Sequence, residues 1–378
     1  MTEAEARAAG WLRAWDAQGI HRTGTDGDAA GAEWLAAEAR ALGAEVTVEE
    51  FAFDRLDPVE CFLEIDGERP EKISGVPVFD APTTDAAGIT GALGAEIAVA
   101  ELTPRAVYSG EFQRLRGAAG HKALVVICQG DAPGLGLINA EDFRAPYGEP
   151  AIHVSSEARD AVLAGVRDGV QARLVSHSRR SQTRAVNIVA TLPGRDRTKP
   201  PLVVMTPRSS WWQSTSERGG GLVCWLESLR ALIAEPPGRD VVFTANTGHE
   251  LGHLGLDDFV ARRPGWDQPG GAVWVHYGAN LGAFGSWLAL VSNDEELRRL
   301  GLAALSRAGQ PPDDIPWPAS PPSGETRDIH KAGGRYLTLV GTNRLFHLPQ
   351  DRWPHSVDVP AVARIAAAGA RMVVRLSR

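Results

Sequence analysis

Three cysteines in 378 residues, Cys61, Cys128 and Cys224, are too few and too far apart for a disulfide framework or a CxxC metal site. They read as small buried hydrophobes. No uninterrupted apolar run approaches the ~18 residues of a membrane span. The opening, MTEAEARAAGWLRAWDAQGI, carries acids where a secretory leader needs an apolar stretch, so a cytoplasmic protein is expected. There is no repeat of fixed period. A basic excess is missing too: 39 Lys and Arg against 47 Asp and Glu leave a net charge of −8. That balance argues against nucleic acid or an anionic membrane as the main partner. What remains, 43% hydrophobic and 23% charged residues, is ordinary globular composition and excludes long disorder, collagen and coiled coil.

The length exceeds one typical domain. Residues 1–43 read as two helices around the turn HRTGTDGDAAG. In the second helix Trp34, Leu35, Ala39 and Leu42 fall at helical spacing, and Gly43 ends it. Residues 44–53 alternate as a strand. From about 57 to 180, the short runs CFLEI, EIAVAEL, KALVVIC and AIHVSS predict a small β-rich unit, closed by the helix SEARDAVLAGVRDG. From 185 the rhythm changes. NIVATLP, LVVMTP, DVVFTANTG, GGAVWVHYGA and RYLTLVG read as strands, between the helical patterns GGGLVCWLESLRALIA, LGHLGLDDFVARR and DEELRRLGLAALSRAG. The last stretch, VDVPAVARIAAAGARMVVRLSR, is also helical. Such alternation predicts an α/β fold with a mostly parallel, mixed central sheet between helical layers. PPDDIPWPASPPSG reads as a Pro-rich surface loop.

The string His249-Glu250-Leu251-Gly252-His253 matches HExxH, which binds zinc when both histidines lie one turn apart on a helix. Here a strand ending in turn residues runs straight into His249, and a glycine separates the histidines. No glutamate occurs between Glu250 and Glu295 to serve as a downstream ligand. The motif is therefore read as coincidental.

Position in the fold is more informative, because open parallel sheets bind ligands at the carboxyl ends of their strands. Arg208, Ser209 and Ser210 follow LVVMTP, and Ser216, Glu217 and Arg218 lead into the next helix. His249 and Glu250 follow VVFTANTG, His276 ends AVWV, and His347 follows RYLTLVGTNRLF. Carboxylates and imidazoles converging from separate strand ends can hold a catalytic zinc with an open position.

In order and spacing these segments resemble family twenty-eight of the metallopeptidases, the zinc aminopeptidase and glutaminyl cyclase group. HRTGTDGDAAGAEWLAAEARALGAEVTVEEFAF is similar to that family's opening helix and first strand. The β-rich segment ending in YGEPAIHVSSEARDAVLAG is similar to a protease-associated insertion. LVVMTPRSS, GGGLVCWLESLRAL, VVFTANTGHELGHLG and LFHLPQDRWPHSVD are similar to its metal-motif regions. The resemblance implies a three-layer aminopeptidase-like sandwich. Residues 1–56 and 181–378 would form the catalytic domain and 57–180 the insertion.

It also locates departures from the family pattern. The His-x-Asp positions hold Pro207 and Ser209, the bridging carboxylate is Glu217, and the paired glutamates are His249 and Glu250. The next ligand position falls near His276 or Tyr277, and the late histidine is His347. One divalent metal, zinc by preference, is thus expected on Glu217, Glu250 and His347, with His276 as a further candidate. His249, Glu250 and Arg218 are the expected catalytic groups. Arg208, Trp211, Trp212, Glu325 and Trp353 are expected around the substrate. The implied activity is hydrolysis of an amide bond in a small molecule or short peptide. The alternative is a metal-free pseudopeptidase, a ligand-binding protein or metal-independent enzyme, in which Arg208 and Arg218 pair with Glu217 and Glu250 in place of the metal. A homo-oligomer is compatible with either.

Several neighbours have plainer readings. His253 is expected to be structural, His355 a surface residue, and Asp351 an orienter of the His347 loop. Trp317 is a candidate for the pocket wall, and Arg327 and His330, in the loop of Glu325, are candidates near the substrate.

Overall fold

The computed structural model describes residues 1–118, 120–316 and 321–378. Trp317 lies outside the described residues. In chain order the chain forms helices α1 (Glu3–Asp16) and α2 (Asp26–Ala41), then strands β1 (Val46–Ile65), β2 (Glu71–Pro77), β3 (Ile89–Ala92) and β4 (Ile97–Leu102). Helix α3 (Glu111–Arg116), β5 (Ala123–Cys128), β6 (Ala151–Val154), α4 (Arg159–Asp168) and β7 (Gln171–Leu192) follow. The second half runs β8 (Leu202–Pro207), α5 (Thr215–Ala234), β9 (Val241–Asn246), α6 (Leu254–Ala261), β10 (Val273–Tyr277), β11 (Leu288–Ser292), α7 (Glu295–Arg307), α8 (Thr326–Ala332), β12 (Arg335–Gly341) and α9 (Val359–Leu376).

The sheet order is β11-β12-β10-β8-β9-β7-β1-β2-β6-β5-β4, with β3 paired to β7. Strands β12, β10, β8 and β9 are mutually parallel, while β11 and β7 flank them antiparallel. Parallel strands covered on both faces bury every residue, and β8 does so, with alternate side chains supplying opposite cores. Leu202 and Val204 join α1, α2, α5, α7 and α9 on one side. Val203 and Met205 join Leu256 and Phe259 of α6 and Ile329 of α8 on the other. The expected α/β layering is therefore present.

Strands β1 and β7 are far longer than the sequence suggests. They pair antiparallel from Val46↔Ala190 to Ile65↔Ala172, with one irregularity between Pro58 and Glu60. The polar run SHSRRSQTRA has no apolar alternation to betray it, yet each residue finds its partner across the ribbon. Both boundaries expected for the insertion, 56/57 and 180/181, fall inside these continuous strands. Beyond them β2 to β6 enclose their own apolar clusters around Val125, Ile127 and Ile152 and around Phe112 and Val126. Strand β11 was also hidden, because WLALVS is too short a run to signal its type.

The three adjacent glycines of α5 mark close packing. A Cβ on Gly219 would meet Leu12 Cδ2 at 2.4 Å, and one on Gly220 would meet the Leu281 carbonyl oxygen at 1.8 Å. Only glycine allows α5 to approach α1 and the loop after β10 so closely.

Candidate active site

The ends of β8, β9, β10 and β12 converge beside the N-terminus of α5, and the polar residues after each strand meet there. After β8 the chain passes Arg208, Ser209 and Ser210 and enters α5 through Ser214, whose φ is +48°. The α5 N-terminus is capped from a distance. Asp351 accepts from the Ser216 amide at 2.8 Å, the Ser216 hydroxyl at 2.7 Å and the Glu217 amide at 3.0 Å. A carboxylate at a helix N-terminus satisfies orphan donors and meets the positive end of the dipole. Asp351 thereby ties the His347 loop to α5, the role expected of it.

Glu217 and Arg218 are consecutive in the first turn of α5, and both are buried. Arg218 Nη2 lies 2.8 Å from Glu217 Oε1, while Arg218 Nε donates to the Ser209 carbonyl at 2.7 Å. The first contact is an ion pair by distance without hydrogen-bond alignment, since both Glu217 oxygens and both Arg218 Nη atoms lack hydrogen-bond partners among the described residues. Burial alone would raise the Glu217 carboxyl, but the Arg218 charge and His347 outweigh it and hold it at about 2. His347 Nδ1 donates to the Leu137 carbonyl at 2.8 Å, which directs Nε2 toward Glu217 Oε1, 3.4 Å away.

His249 and Glu250 do not lie on a helix. Residues His249–Leu251 form a single 3-10 turn, Gly252 and His253 take φ of +77° and +64°, and α6 begins at Leu254. This break removes the geometry an HExxH zinc site needs. Glu250 is wholly committed to protein donors. Its Oε1 accepts from the Thr23 amide and hydroxyl at 2.7 Å each, and its Oε2 accepts from the Ser209 hydroxyl at 2.6 Å.

His249 Nδ1 faces Glu325 Oε1 at 3.8 Å, and neither atom has a hydrogen-bond partner among the described residues. Burial lifts the Glu325 carboxyl to about 7. Burial also lowers His249 well below its ordinary value, reinforced by the Arg218 charge, and lowers His276 to about 3. Both imidazoles are therefore neutral at physiological pH. His276 Nδ1 engages the hydroxyls of Thr338, at 2.8 Å, and Thr326, leaving Nε2 free. His253 bonds Asp328, which raises its pKa despite burial, so its structural reading holds.

These groups adjoin a cavity of about 440 Å³. Its floor includes His249, His276, Asn280 and Gly324, and Arg105 and Tyr108 from the β4–α3 connection form another wall. Among the described residues the non-glycines with left-handed φ are Ser214, His253, Asn280 and His347. All four flank this region, and strain gathered at one place is a mark of function.

The overall topology now has counterparts. The chain superposes on a zinc aminopeptidase from Bacillus subtilis with a TM-score of 0.78 at 17% identity, over 99% of this chain and 95% of that one. The chain has the fold of the zinc aminopeptidases. An M28 peptidase precursor from Shewanella amazonensis aligns at a TM-score of 0.75 and 14% identity, covering 100% and 95% of the two chains. A glutaminyl cyclase from Fimbriiglobus ruber gives 0.55 at 12% identity, covering 99% and 95%. No family model and no curated protein matches the sequence.

On this aminopeptidase fold the expected metal ligands are not gathered. No group of three or more His, Cys, Asp and Glu side chains among the described residues is placed to hold an ion. Glu217 and His347 meet, but the Arg218 guanidinium stands against the carboxylate where a cation would bind, and Glu250 is turned to Thr23 and Ser209. His276 is directed to two threonines. As arranged, this donor set does not fit zinc.

Other expectations need correction. Arg208 does not reach Glu250 or the cavity. Its Nη1 donates to the Asp28 carboxylate and carbonyl at 2.7 Å each, and its Nη2 to the Val186 carbonyl at 2.6 Å. The arginine whose field reaches Glu250 is Arg22. Trp211 is core: it bonds Asn139 at 3.0 Å and packs on Phe79. Trp212 donates to the His347 carbonyl and does not line the cavity. Trp353 backs onto α1, beside Ala9 and Arg13. Arg327 pairs with Glu141 and His330 bonds Tyr336, while His355 is exposed as expected. The structure does bring together Glu217, Arg218, His249, His276, Glu325 and His347. Sequence reasoning passed over Thr23 and Asp28, read only as turn residues, and Arg105, Tyr108, Asn280 and Thr326. The adjacent glycines at 24 and 27 were the signal for the first pair, since a tight turn there presents its polar side chains inward.

Proposed function

We propose that this chain is a metal-independent protein of hydrolase ancestry, which binds a small amide or short peptide and acts on its amide bond. The observation that carries the reading is the buried 2.8 Å approach of Arg218 to Glu217. Where the Bacillus neighbour is a zinc enzyme, a fixed guanidinium here supplies the positive charge. It never dissociates and is always ionised. Around it, buried atoms without a hydrogen-bond partner among the described residues are available to a polar ligand: Arg218 Nη1 and Nη2 and His276 Nε2. Leaving so many buried polar atoms unmade is costly unless something else binds them.

A carboxyl poised near neutrality beside a neutral imidazole suits general acid–base work at physiological pH. Glu325 and His249 are accordingly assigned proton transfer, with Glu325 acting through His249, which borders the cavity. The test is turnover of a panel of small amides in the presence of a chelator. Glu325→Gln should fold normally and lose activity. Turnover only on addition of zinc, or a fully active Glu325→Gln, contradicts the proposal.

One observation favours the single-zinc alternative. His347 is oriented through Nδ1 by the Leu137 carbonyl, as metal-binding histidines are oriented. That enzyme requires Arg218 to leave Glu217 and Glu250 to abandon three hydrogen bonds.

A further inference from the structure

We infer that the cavity beside His249 takes a small amide bearing a free carboxylate and no free amine, and that Arg105 reads the carboxylate. This rests on the metal-independent reading above, in which Arg218 neutralises Glu217 and removes it as a partner for an ammonium group.

Among the described residues the cavity lining contains no Asp, Glu or Lys. Among the described lining residues the permanently ionised group is Arg105. Its guanidinium lies over the Phe346 ring, 5.6 Å from the centroid, and has no ion-pair partner among the described residues. Stacking on an aromatic face leaves the N–H edge of a guanidinium free for a planar anion. Nearby carboxylates are paired or stand behind the lining: Glu141 Oε2 pairs with Arg327, Asp131 with Arg344 and Glu217 with Arg218, and Glu325 lies behind His249. An ammonium-bearing ligand would therefore meet a wall without an acid, and a cation. A carboxylate-bearing ligand would meet a free arginine.

The remaining wall fits the rest of such a molecule. Val340, Phe346 and Ala279 offer an apolar surface, and a volume of about 440 Å³ suits a ligand of dipeptide size. Asn280 Oδ1 and His276 Nε2 both lack partners among the described residues. Asn280 Oδ1 can accept from the N–H of an amide group, and His276 Nε2 can donate to its C=O in the tautomer whose Nδ1 accepts from a threonine hydroxyl. Ligands of the N-acyl amino acid type present these features together. Substrates of an aminopeptidase, by contrast, are defined by a free amine.

The experiment is calorimetric titration of the full chain at neutral pH in chelator, with three probes. N-acetyl-leucine carries a carboxylate, leucinamide carries an amine, and N-acetyl-leucinamide carries neither. N-acetyl-leucine should bind about tenfold or more tighter than N-acetyl-leucinamide, the gain expected from one charge-assisted contact. Leucinamide should bind most weakly. Arg105→Gln, at an exposed position where folding is not at stake, should abolish the advantage, and Arg105→Lys should retain part of it. Preference for leucinamide, equal binding of the two acetylated probes, no binding of any probe, or an unchanged ratio in Arg105→Gln overturns the assignment. If leucinamide is preferred in chelator, the carboxylate assignment alone fails. If its binding requires added zinc, the metal-independent reading fails with it.

Discussion

Arg218 Nη2 sits 2.8 Å from the carboxylate of its own chain neighbour, Glu217, with both side chains sealed from solvent. Adjacent residues on a helix do not normally face each other. Here Arg218 Nε is anchored on the Ser209 carbonyl, which holds the guanidinium against Glu217. Removing one partner should therefore be costly. Arg218→Met is expected to destabilise the fold by about 3–5 kcal/mol, because it strands a buried carboxylate. Glu217→Gln combined with Arg218→Met should recover most of that loss. Urea denaturation of the parent and the two variants checks this. A single mutant as stable as the parent would show that Glu217 is neutralised by something else.

Glu325 makes stability depend on pH. Its folded carboxyl titrates at about 7 against an ordinary 4.5, so the native state keeps a proton that the unfolded chain releases. Stability is therefore lost as pH rises from about 4.5 to about 7, and stays lost above. Glu325→Gln removes the penalty. Relative to the parent the variant should gain stability between pH 5 and pH 8, by on the order of 3 kcal/mol at most. Melting curves at the two pH values measure it. A parent–variant difference independent of pH contradicts the assignment.

Thr23 and Ser209 hold Glu250 together, one at each carboxylate oxygen. Ser209→Ala and Thr23→Val should each destabilise the fold by about 1–3 kcal/mol. Since they share a partner, the double variant should depart from additivity. Simple addition would indicate that Glu250 is satisfied in another way.

Asp351 caps α5 across the sequence. Asp351→Ala should cost about 1–2 kcal/mol, in the range of a lost helix cap. Hydrogen exchange at Ser216 and Glu217 should quicken in step, and it should quicken along the His347 loop. Loss of stability without faster exchange at these amides would place the effect elsewhere.

Much of this arrangement is legible in the sequence, and the limits are physical. Strand and helix order could be read because burial on both faces makes β8 and β9 continuous apolar runs. The β1–β7 ribbon could not, because its polar middle is specified by cross-strand hydrogen bonds. Glu217, His249, His276 and His347 were legible as residues that meet in space because strand ends place whatever follows them. The partners of those residues were not. Arg208 meets Asp28, which lies 180 residues away in sequence, and nothing local distinguishes that carboxylate from Glu250. Trp353 illustrates the same limit: it shares a loop with His347, but the chain turns between them and sends the indole toward α1.

If Arg218 holds the charge that a metal ion would supply beside Glu217, the chain binds no zinc there. The metal content of protein purified without chelator or histidine tag, before and after incubation with zinc, for the parent and for His347→Ala, tests this directly. No stoichiometric metal is expected in any of these samples. About one zinc per parent chain, lost in His347→Ala, would contradict it and establish the single-metal site instead.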